Sequence, residues 1–249
     1  MTCWNFVEVL RLPDLIRQIG DIVQRAEFLG QGLTVALLLP VEFMCKNFHD
    51  RNGMYQDLSV EDDGNPVTTA WWRFYAMKQA YIYGDYRLAE SFSDSAKDIY
   101  DNGYGGSDVA YAMFYESLVL LAQARRGIRR RRHIAKVRRH VKRLKFWASH
   151  SAVNFLGKQL LVEAELATIQ GDRLTALEKY RSSILHSREL GSNLQEALCN
   201  ERLARFFLEC EKDDEASAPL LRRARELYGK WGGQAKLHQL DEEFGTDLF

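Results

Sequence analysis

The sequence predicts an all-α protein, a right-handed solenoid of antiparallel helical hairpins, from three observations. Strand signals are nearly absent, since no alternating run of Val, Ile and Thr is bounded by an Asn-Gly or Asp-Gly turn. Apolar residues instead recur with helical spacing. Helix-ending positions repeat, because Gly84, Gly127 and Gly171 are 43 and 44 residues apart and the Lys212-Asp213 turn follows after 41 more. A period of about 43 residues indicates a repeat array with one hairpin per unit.

The turn residues explain how each hairpin is made. Gly84 and Gly171 are each followed by an aspartate, Asp85 and Asp172. Glycine adopts the left-handed conformation that ends a helix, and the aspartate can accept hydrogen bonds from the first backbone N–H groups of the next helix. A small residue, Ala176 in the second case, follows five positions after the glycine and lets antiparallel helices approach closely. This is helix–turn–helix packing of the tetratricopeptide (TPR) kind.

The repeat unit is longer than the roughly 34 residues of the standard TPR motif, so we describe the array as TPR-like. Four hairpins and a closing helix are predicted, at 67–101, 107–149, 151–190, 192–230 and 232–244.

The N-terminal part of the chain predicts one more pair of helices, at 13–29 and 33–48. Pro13 suits a helix start, and Gly30 and Gly32 suit the turn. The long loop that follows contains Gly and acidic residues. The predicted organisation is therefore an N-terminal hairpin at 1–48, an acidic, Gly-containing loop at 49–65, and a TPR-like array with a closing helix at 66–249.

Composition limits the classes of function. The chain has 249 residues, of which 46% are hydrophobic, and its 34 basic residues balance 34 acidic ones. A neutral chain gives no global reason to expect a polyanion or a membrane as partner. The most apolar run, at 33–41, is about half of the ~20 residues that a spanning helix needs, so we expect no membrane insertion.

One stretch, 125–145, is strongly basic, with twelve Lys or Arg residues and no acidic one. Such a stretch could bind nucleic acid phosphates, an acidic protein face or anionic lipid. The four consecutive arginines at 129–132 also resemble a nuclear localisation patch. The candidate polyanion-binding residues are Arg129, Arg130, Arg131, Arg132, Lys136, Arg139, Lys142 and Arg143.

A structural interpretation of the same stretch is favoured. Ile134, Val137, Val141, Leu144 and Ala148 recur at steps of three and four residues, which places them on one face of a packed helix. The basic residues would then be solvated, or paired with acidic residues of neighbouring repeats. An acidic protein partner comes second, and nucleic acid or lipid third.

Motifs for catalysis are missing. The chain has no phosphate-binding G-x-x-x-x-G-K-[ST] loop and no G-x-S-x-G nucleophile turn. Its six histidines form no metal-binding pattern. Glu163 and Glu165 point in different directions on a helix and are not expected to act as a catalytic pair. We therefore predict neither enzymatic activity, nor a cofactor, nor a metal site.

The cysteines bear on the cellular compartment. Four widely spaced cysteines form no C-x-x-C pair, which favours a reducing environment. The first ten residues include Glu8 and no basic residue, unlike a secretory signal. We expect a cytoplasmic protein, with the nucleus as the alternative that the arginine run allows.

Five segments of the C-terminal half carry a family resemblance. They are KRLKFWASH at 142–150, NFL at 154–156, EAEL at 163–166, EAL-x-x-ERLARF at 196–206 and YGKWGGQAK at 228–236. The sequence resembles the TPR-like helical region of large multidomain signalling proteins, in which a serine/threonine-kinase-like domain and an ATPase module precede this region and a histidine kinase follows it. The match is good over 125–249 and holds only in outline over 66–124. Two departures are Ala152, where the family usually has Pro, and Gly233, where it usually has Ala, and the second is expected to loosen the last turn.

The resemblance implies a non-catalytic interaction or signal-relay module, with kinase or ATPase signalling domains as possible partners in cis or in trans. A stack of hairpins exposes a concave surface, and we expect it to bind a protein or peptide segment. The first helix of each hairpin should line this groove. The candidate groove residues are Tyr75, Lys78, Tyr115, Lys158, Asn200 and Arg205.

Overall fold

The computed structural model describes residues 8–52, 65–93 and 107–249. Throughout these residues the regular structure is helical, so the predicted all-α, TPR-like fold is confirmed. The helices are α1 (Leu12–Phe28), α2 (Gly32–His49), α3 (Pro66–Ile82), α4 (Tyr86–Ser91), α5 (Ser107–Arg125), α6 (Arg130–His150), α7 (Ala152–Gln170), α8 (Arg173–Glu189), α9 (Asn193–Phe206), α10 (Asp214–Trp231) and α11 (Gln234–Phe244).

The repeated turns have the predicted geometry. Gly84, Gly127 and Gly171 lie in the left-handed region, with φ of 82°, 82° and 79°. Lys212 takes the equivalent position in the last hairpin with φ of 56°, after a π-helical turn at Phe207–Glu211. A lysine there accepts a conformation that is strained for any residue with a Cβ atom.

Aspartates cap the helices that follow these turns. The Oδ1 atom of Asp85 accepts the backbone N–H of Leu88 at 2.9 Å. Asp172 caps α8 in the same way at 3.2 Å, and Asp213 caps α10 at 2.9 Å. Each cap satisfies an N–H group that has no partner within its own helix, which fixes where the second helix of the hairpin begins.

The predicted hairpins match the observed ones closely. From α5 to α11, the described helices begin and end within a few residues of the predicted bounds. The first hairpin of the array is shorter in the described part, because α4 ends at Ser91 and the prediction ran to 101. Residues 94–106 and 53–64 lie outside the described residues, so the predicted loop at 49–65, as a boundary between two parts, stays a prediction.

The two helices of each hairpin differ in burial. The first helices, which are α3, α5, α7 and α9, are buried over most of their length. The second helices, which include α6, α8 and α10, bury one stripe and expose the rest. The core therefore runs along the first helices.

The array closes on itself through contacts between distant parts of the chain. The ring of Phe48, at the end of α2, lies 5.1 Å from that of Trp231, at the end of α10. The ammonium of Lys236 in α11 donates to the carbonyl of Ile82 in α3 at 2.7 Å. The α1–α2 hairpin and α3 thus pack against the C-terminal end of the array.

The Gly232-Gly233 turn is tight, contrary to the expectation that it would be loose. Gly232 has φ of 97°, and a Cβ atom there would lie 3.0 Å from the ring of Pro13. A Cβ atom on Gly233 would lie 3.0 Å from the ring of Trp231. Both glycines allow close packing between the last turn and its neighbours, which removes the freedom that two adjacent glycines would otherwise have.

Candidate protein-binding site

The six predicted groove residues do not form an open surface. Arg205 is partly exposed, and the other five are buried, namely Tyr75, Lys78, Tyr115, Lys158 and Asn200. The expectation that these residues line an open groove is therefore wrong for this conformation. The physical reason is packing between distant elements, since Glu8 of the N-terminal segment lies on Lys158 and Lys78 of α3 packs against the Tyr115 ring of α5.

Lys158 in α7 is the predicted groove residue with the most informative surroundings. Its ammonium donates to the Glu8 carboxylate at 2.8 Å, across 150 residues of sequence. It also lies 4.5 Å from the centroid of the Tyr111 ring. Both Lys158 and Glu8 are at most 5% exposed. Burial lowers the pKa of Lys158, but the Glu8 charge outweighs this effect and holds the pKa above its ordinary value.

A cavity of about 320 Å³ opens beside this ion pair. One wall is the N-terminal segment, and the others come from α7, from the end of α8 and from the start of α9. Its volume is in the range of ligand-binding pockets, and its surface is mostly apolar. The lining residues are Glu8, Val9, Leu10, Val153, Asn154, Gly157, Lys158, His186, Ser187, Leu190, Ser192 and Gln195.

A second lysine lies buried near this ion pair. Lys78 in α3 is 1% exposed, and its ammonium lies 5.1 Å from the centroid of the Tyr115 ring. Burial lowers its pKa to about 8, and the charge of Glu8 opposes the shift only in part. Among the described residues Lys78 has no ion-pair partner, so two buried lysines share the field of one carboxylate.

The two remaining polar groove candidates have other surroundings. Asn200 donates to the carbonyl of Glu196 at 2.8 Å and lies at a second, shallower cavity of about 420 Å³ between α8 and α10. The guanidinium of Arg205 is paired with Glu201 at 3.0 Å and with Glu243 at 2.7 Å. Its donors are thus used within the chain.

A buried ion cluster around Glu165 was missed by the sequence reasoning. The Glu165 carboxylate accepts from Arg125 at 2.6 Å, from Arg202 at 2.7 Å and from the Tyr180 hydroxyl at 2.8 Å. Burial raises the pKa of Glu165, but the two guanidinium groups outweigh this and lower it to about 2. The cluster joins α5, α7, α8 and α9. The available sequence signal was a carboxylate between two apolar neighbours, Ala164 and Leu166, in α7.

The basic stretch divides into paired and exposed residues. Arg125 forms an ion pair with Glu165 in the buried cluster. Lys136 pairs with Glu116, and Lys145 pairs with Glu163 at 2.7 Å. Arg129 lies 3.7 Å from Glu90. Arg130 donates to the carbonyl of Ile169 at 2.7 Å. Pairing within the chain therefore accounts for part of the stretch.

The rest of the stretch forms an exposed basic face on α6. Arg143 lies 5.2 Å from the Trp147 ring, and Phe146 is exposed at the C-terminal end of the same face. Six more cations have exposed side chains that make no hydrogen bond or ion pair within the described part of the chain, namely Arg126 in the turn before α6 and Arg131, Arg132, Arg138, Arg139 and Lys142 on α6. Of the eight predicted polyanion-binding residues, Arg131, Arg132, Arg139, Lys142 and Arg143 belong to this face.

Groups that could support chemistry are few. In the described ranges no cluster of three or more His, Cys, Asp or Glu residues could hold a metal ion. Burial raises the pKa of the Cys45 thiol to about 12 and that of Cys199 to about 11, which disfavours the reactive thiolate. Burial also lowers the pKa of His140 to about 3 and keeps its imidazole neutral. No helix in the same ranges is both long enough and apolar enough to cross a membrane.

Comparison with known families gives one match. A family model described as "CHK1-like, TPR repeats" matches residues 109–248, which is more than half of the chain. The chain belongs to this family of CHK1-like TPR repeats. The matched range contains the hairpins α5–α6, apart from the first two residues of α5, α7–α8 and α9–α10 and the closing helix α11. No curated protein and no solved structure matches the chain.

Membership in the CHK1-like TPR repeats agrees with the TPR-like part of the resemblance seen in the sequence. The TPR-repeat fold is typically that of a protein-interaction module without catalytic activity. The matched range includes most of the lining of the Lys158 cavity, with only Glu8, Val9 and Leu10 outside it.

Proposed function

We propose that the chain is a non-catalytic protein-interaction and signal-relay module that binds a segment of a partner protein at the Lys158 cavity. The observation that supports this proposal is an apolar cavity that reaches a buried lysine on a first helix of the repeats. Of the six predicted groove residues, Lys158 is the one at this cavity, so the proposed binding site is smaller than the predicted groove.

The chemistry of the cavity suits a protein segment. Leu190 and Val153 supply apolar surface, and Val153 is 62% exposed at the rim. Asn154, Ser187 and Gln195 add polar groups that can orient a ligand. The proposed partners are kinase or ATPase signalling domains, in cis or in trans, as the resemblance to multidomain signalling proteins implies.

Site-specific photo-crosslinking tests the proposal. A benzoylphenylalanine residue at position 153 reports on proteins that enter the cavity in cells that express the chain. The matched control carries the probe at Leu174, which is 80% exposed and does not line the cavity. The proposal predicts a discrete protein adduct from position 153, lost in a Leu190→Asp variant. Equal adducts from both positions, or none from position 153, would contradict it.

A second candidate function is polyanion binding through the basic face of α6. It is supported by the six exposed cations that make no ion pair with any described residue. Arg132, Arg139 and Lys142 follow at intervals of seven and three residues and so share one side of the helix. Phosphate binding of this kind releases counterions and depends steeply on salt.

The second candidate is tested with a fluorescent DNA duplex at increasing salt concentration. Polyanion binding predicts an affinity that falls by orders of magnitude between ~50 and ~200 mM salt. It also predicts loss of binding in an Arg139→Glu/Lys142→Glu variant. The control, Arg17→Glu/Arg25→Glu, changes charge equally on exposed positions of α1. Equal losses of DNA affinity in the two variants would show an effect of net charge and would reject a specific binding face on α6.

A further inference from the structure

The N-terminal segment at residues 8–10 occupies the Lys158 site in the manner of a bound ligand. Its Glu8 carboxylate accepts from Lys158 in α7 at 2.8 Å. The Ser192 hydroxyl, just before α9, donates to the Glu8 carbonyl oxygen at 3.3 Å. Side chain and backbone of one residue are thus held by two repeats that lie more than 140 residues away in sequence. Val9 and Leu10 continue from it along the wall of the cavity.

The charges at this place are not balanced. Lys158 and Lys78 are both buried, and Glu8 is the carboxylate that acts on both. The Oε1 atom of Glu8 is buried and has no hydrogen-bond partner among the described residues. A buried cation without a nearby anion is unfavourable. The two lysines therefore favour a carboxylate at this place, and the single carboxylate of Glu8 compensates their charges only in part.

The residues that the structure describes fill the cavity only in part. About 320 Å³ stays open to solvent between Leu10, Val153 and Leu190, next to the ion pair. An acidic side chain at Lys158 and an apolar side chain in this space can therefore come from one short peptide. Residues 8–10 supply the acidic part, and no described residue fills the apolar part.

From this arrangement the geometry points to residues 8–10 as an internal competitor of the partner. The partner contributes a short segment with an acidic residue followed by apolar ones, whose carboxylate replaces that of Glu8 on Lys158 and whose apolar side chain fills the cavity. This inference rests on the proposed function, because it names the partner segment for the same site. It adds that the site is self-occupied and that binding requires displacement of Glu8.

The test uses the full chain and a fluorescent peptide with the sequence of residues 5–12, NFVEVLRL, as the probe. Glu8→Gln removes the competing carboxylate and nearly preserves side-chain shape. Because apparent affinity scales with the fraction of open sites, this variant should bind the peptide at least about tenfold more tightly than the wild type does. A peptide with Gln at the position of Glu8 should bind neither protein.

Two variants control for effects on folding and on surface charge. Glu8→Gln/Lys158→Met replaces both members of the ion pair, so that no unpaired charge stays at position 158, and should fold without binding the peptide. Glu226→Gln removes an exposed carboxylate that pairs with Lys230 on α10 and should leave the affinity at the wild-type value. Circular dichroism confirms the helical content of each variant.

Three results would overturn the inference. These are equal peptide affinity for wild type and Glu8→Gln, binding that persists in the double variant, and a wild-type dimer that Glu8→Gln dissociates in light scattering. The last result would assign the site to a second copy of the chain. A crosslink at position 153 without a gain in Glu8→Gln rejects self-occupancy alone, whereas the absence of that crosslink rejects the proposed function.

Discussion

Helices α6 and α7 follow each other in the chain and treat their charged residues in opposite ways. α6 carries most of its cations on an exposed face and buries an apolar stripe. α7 buries Lys158 and Glu165, which form ion pairs with Glu8 of the N-terminal segment and with Arg202 of α9. The comparison teaches that the buried charges of α7 join distant parts of the fold, whereas most charges of α6 are available to solvent or to a partner.

We expect the largest loss of stability from a charge placed where two helices are in close contact. Ala176 in α8 is fully buried. In Ala176→Arg a long charged side chain is forced into a close-packed contact, and we expect destabilisation by about 5 kcal/mol or more. The matched control, Ala135→Arg on the exposed side of α6, should change the melting temperature little. Similar melts for the two variants would contradict the assigned packing.

Removing the central carboxylate of the buried cluster should have the next largest effect. Glu165→Ala leaves Arg125 and Arg202 without their shared acceptor, and we expect a loss of about 3–5 kcal/mol in the free energy of unfolding. Glu163→Ala, two residues away, removes a partner of the exposed Lys145 and should cost about 1 kcal/mol or less. Denaturant unfolding measures both, and equal losses would reject the contrast.

A smaller effect is expected at the last turn. Gly233→Ala adds a Cβ atom 3.0 Å from the Trp231 ring and should destabilise the chain by about 1–3 kcal/mol. Gly229→Ala is the control, since its Cβ atom would meet Leu237 at an ordinary 3.7 Å inside α10. That change should be neutral or stabilising by roughly 0.5–1 kcal/mol, because alanine favours a helix over glycine. Thermal melts that rank the two in the reverse order would contradict the tight turn.

The pH dependence of stability should sharpen the contrast further, because it reports on a single carboxylate. Burial raises the pKa of Glu165, but Arg202 and Arg125 outweigh it and bring the folded pKa to about 2, below the ordinary value of 4.5. The unfolded chain therefore takes up the proton first, and the stability that this carboxylate contributes is lost as pH falls from about 4.5 to about 2. Glu165→Gln should flatten this part of the curve, and Glu163→Gln should not. Parallel curves for all three proteins would contradict the assignment.

The helices could be predicted from the sequence because their ends carry local signals. Gly84 and Gly171 adopt the left-handed conformation, and Asp85 and Asp172 cap the next helix, as their residue types indicate. Lys212 shows the limit of residue type as a signal, because lysine does not favour the left-handed conformation that it adopts. This turn could be predicted only from the spacing of the repeats.

The site could be predicted only in part, because burial depends on contacts between distant residues. Lys158 was identified as a groove residue, but its partner Glu8 lies 150 residues away and no local pattern connects the two. The closing of the array over Tyr75 and Tyr115 has the same cause. The available signal was that the first helices lack a continuous polar side, which an open groove would require.

The meeting of Phe48 and Trp231 changes how the repeats should come apart. An open stack of repeats has two free ends, and its terminal units can fray while the middle stays folded. Here the α1–α2 hairpin packs against the Gly232-Gly233 turn, so neither α1–α2 nor the C-terminal end of the array can detach without breaking the contact between Phe48 and Trp231. The consequence is a single cooperative transition with uniform hydrogen-exchange protection along the first helices, in place of the graded melting of a linear array.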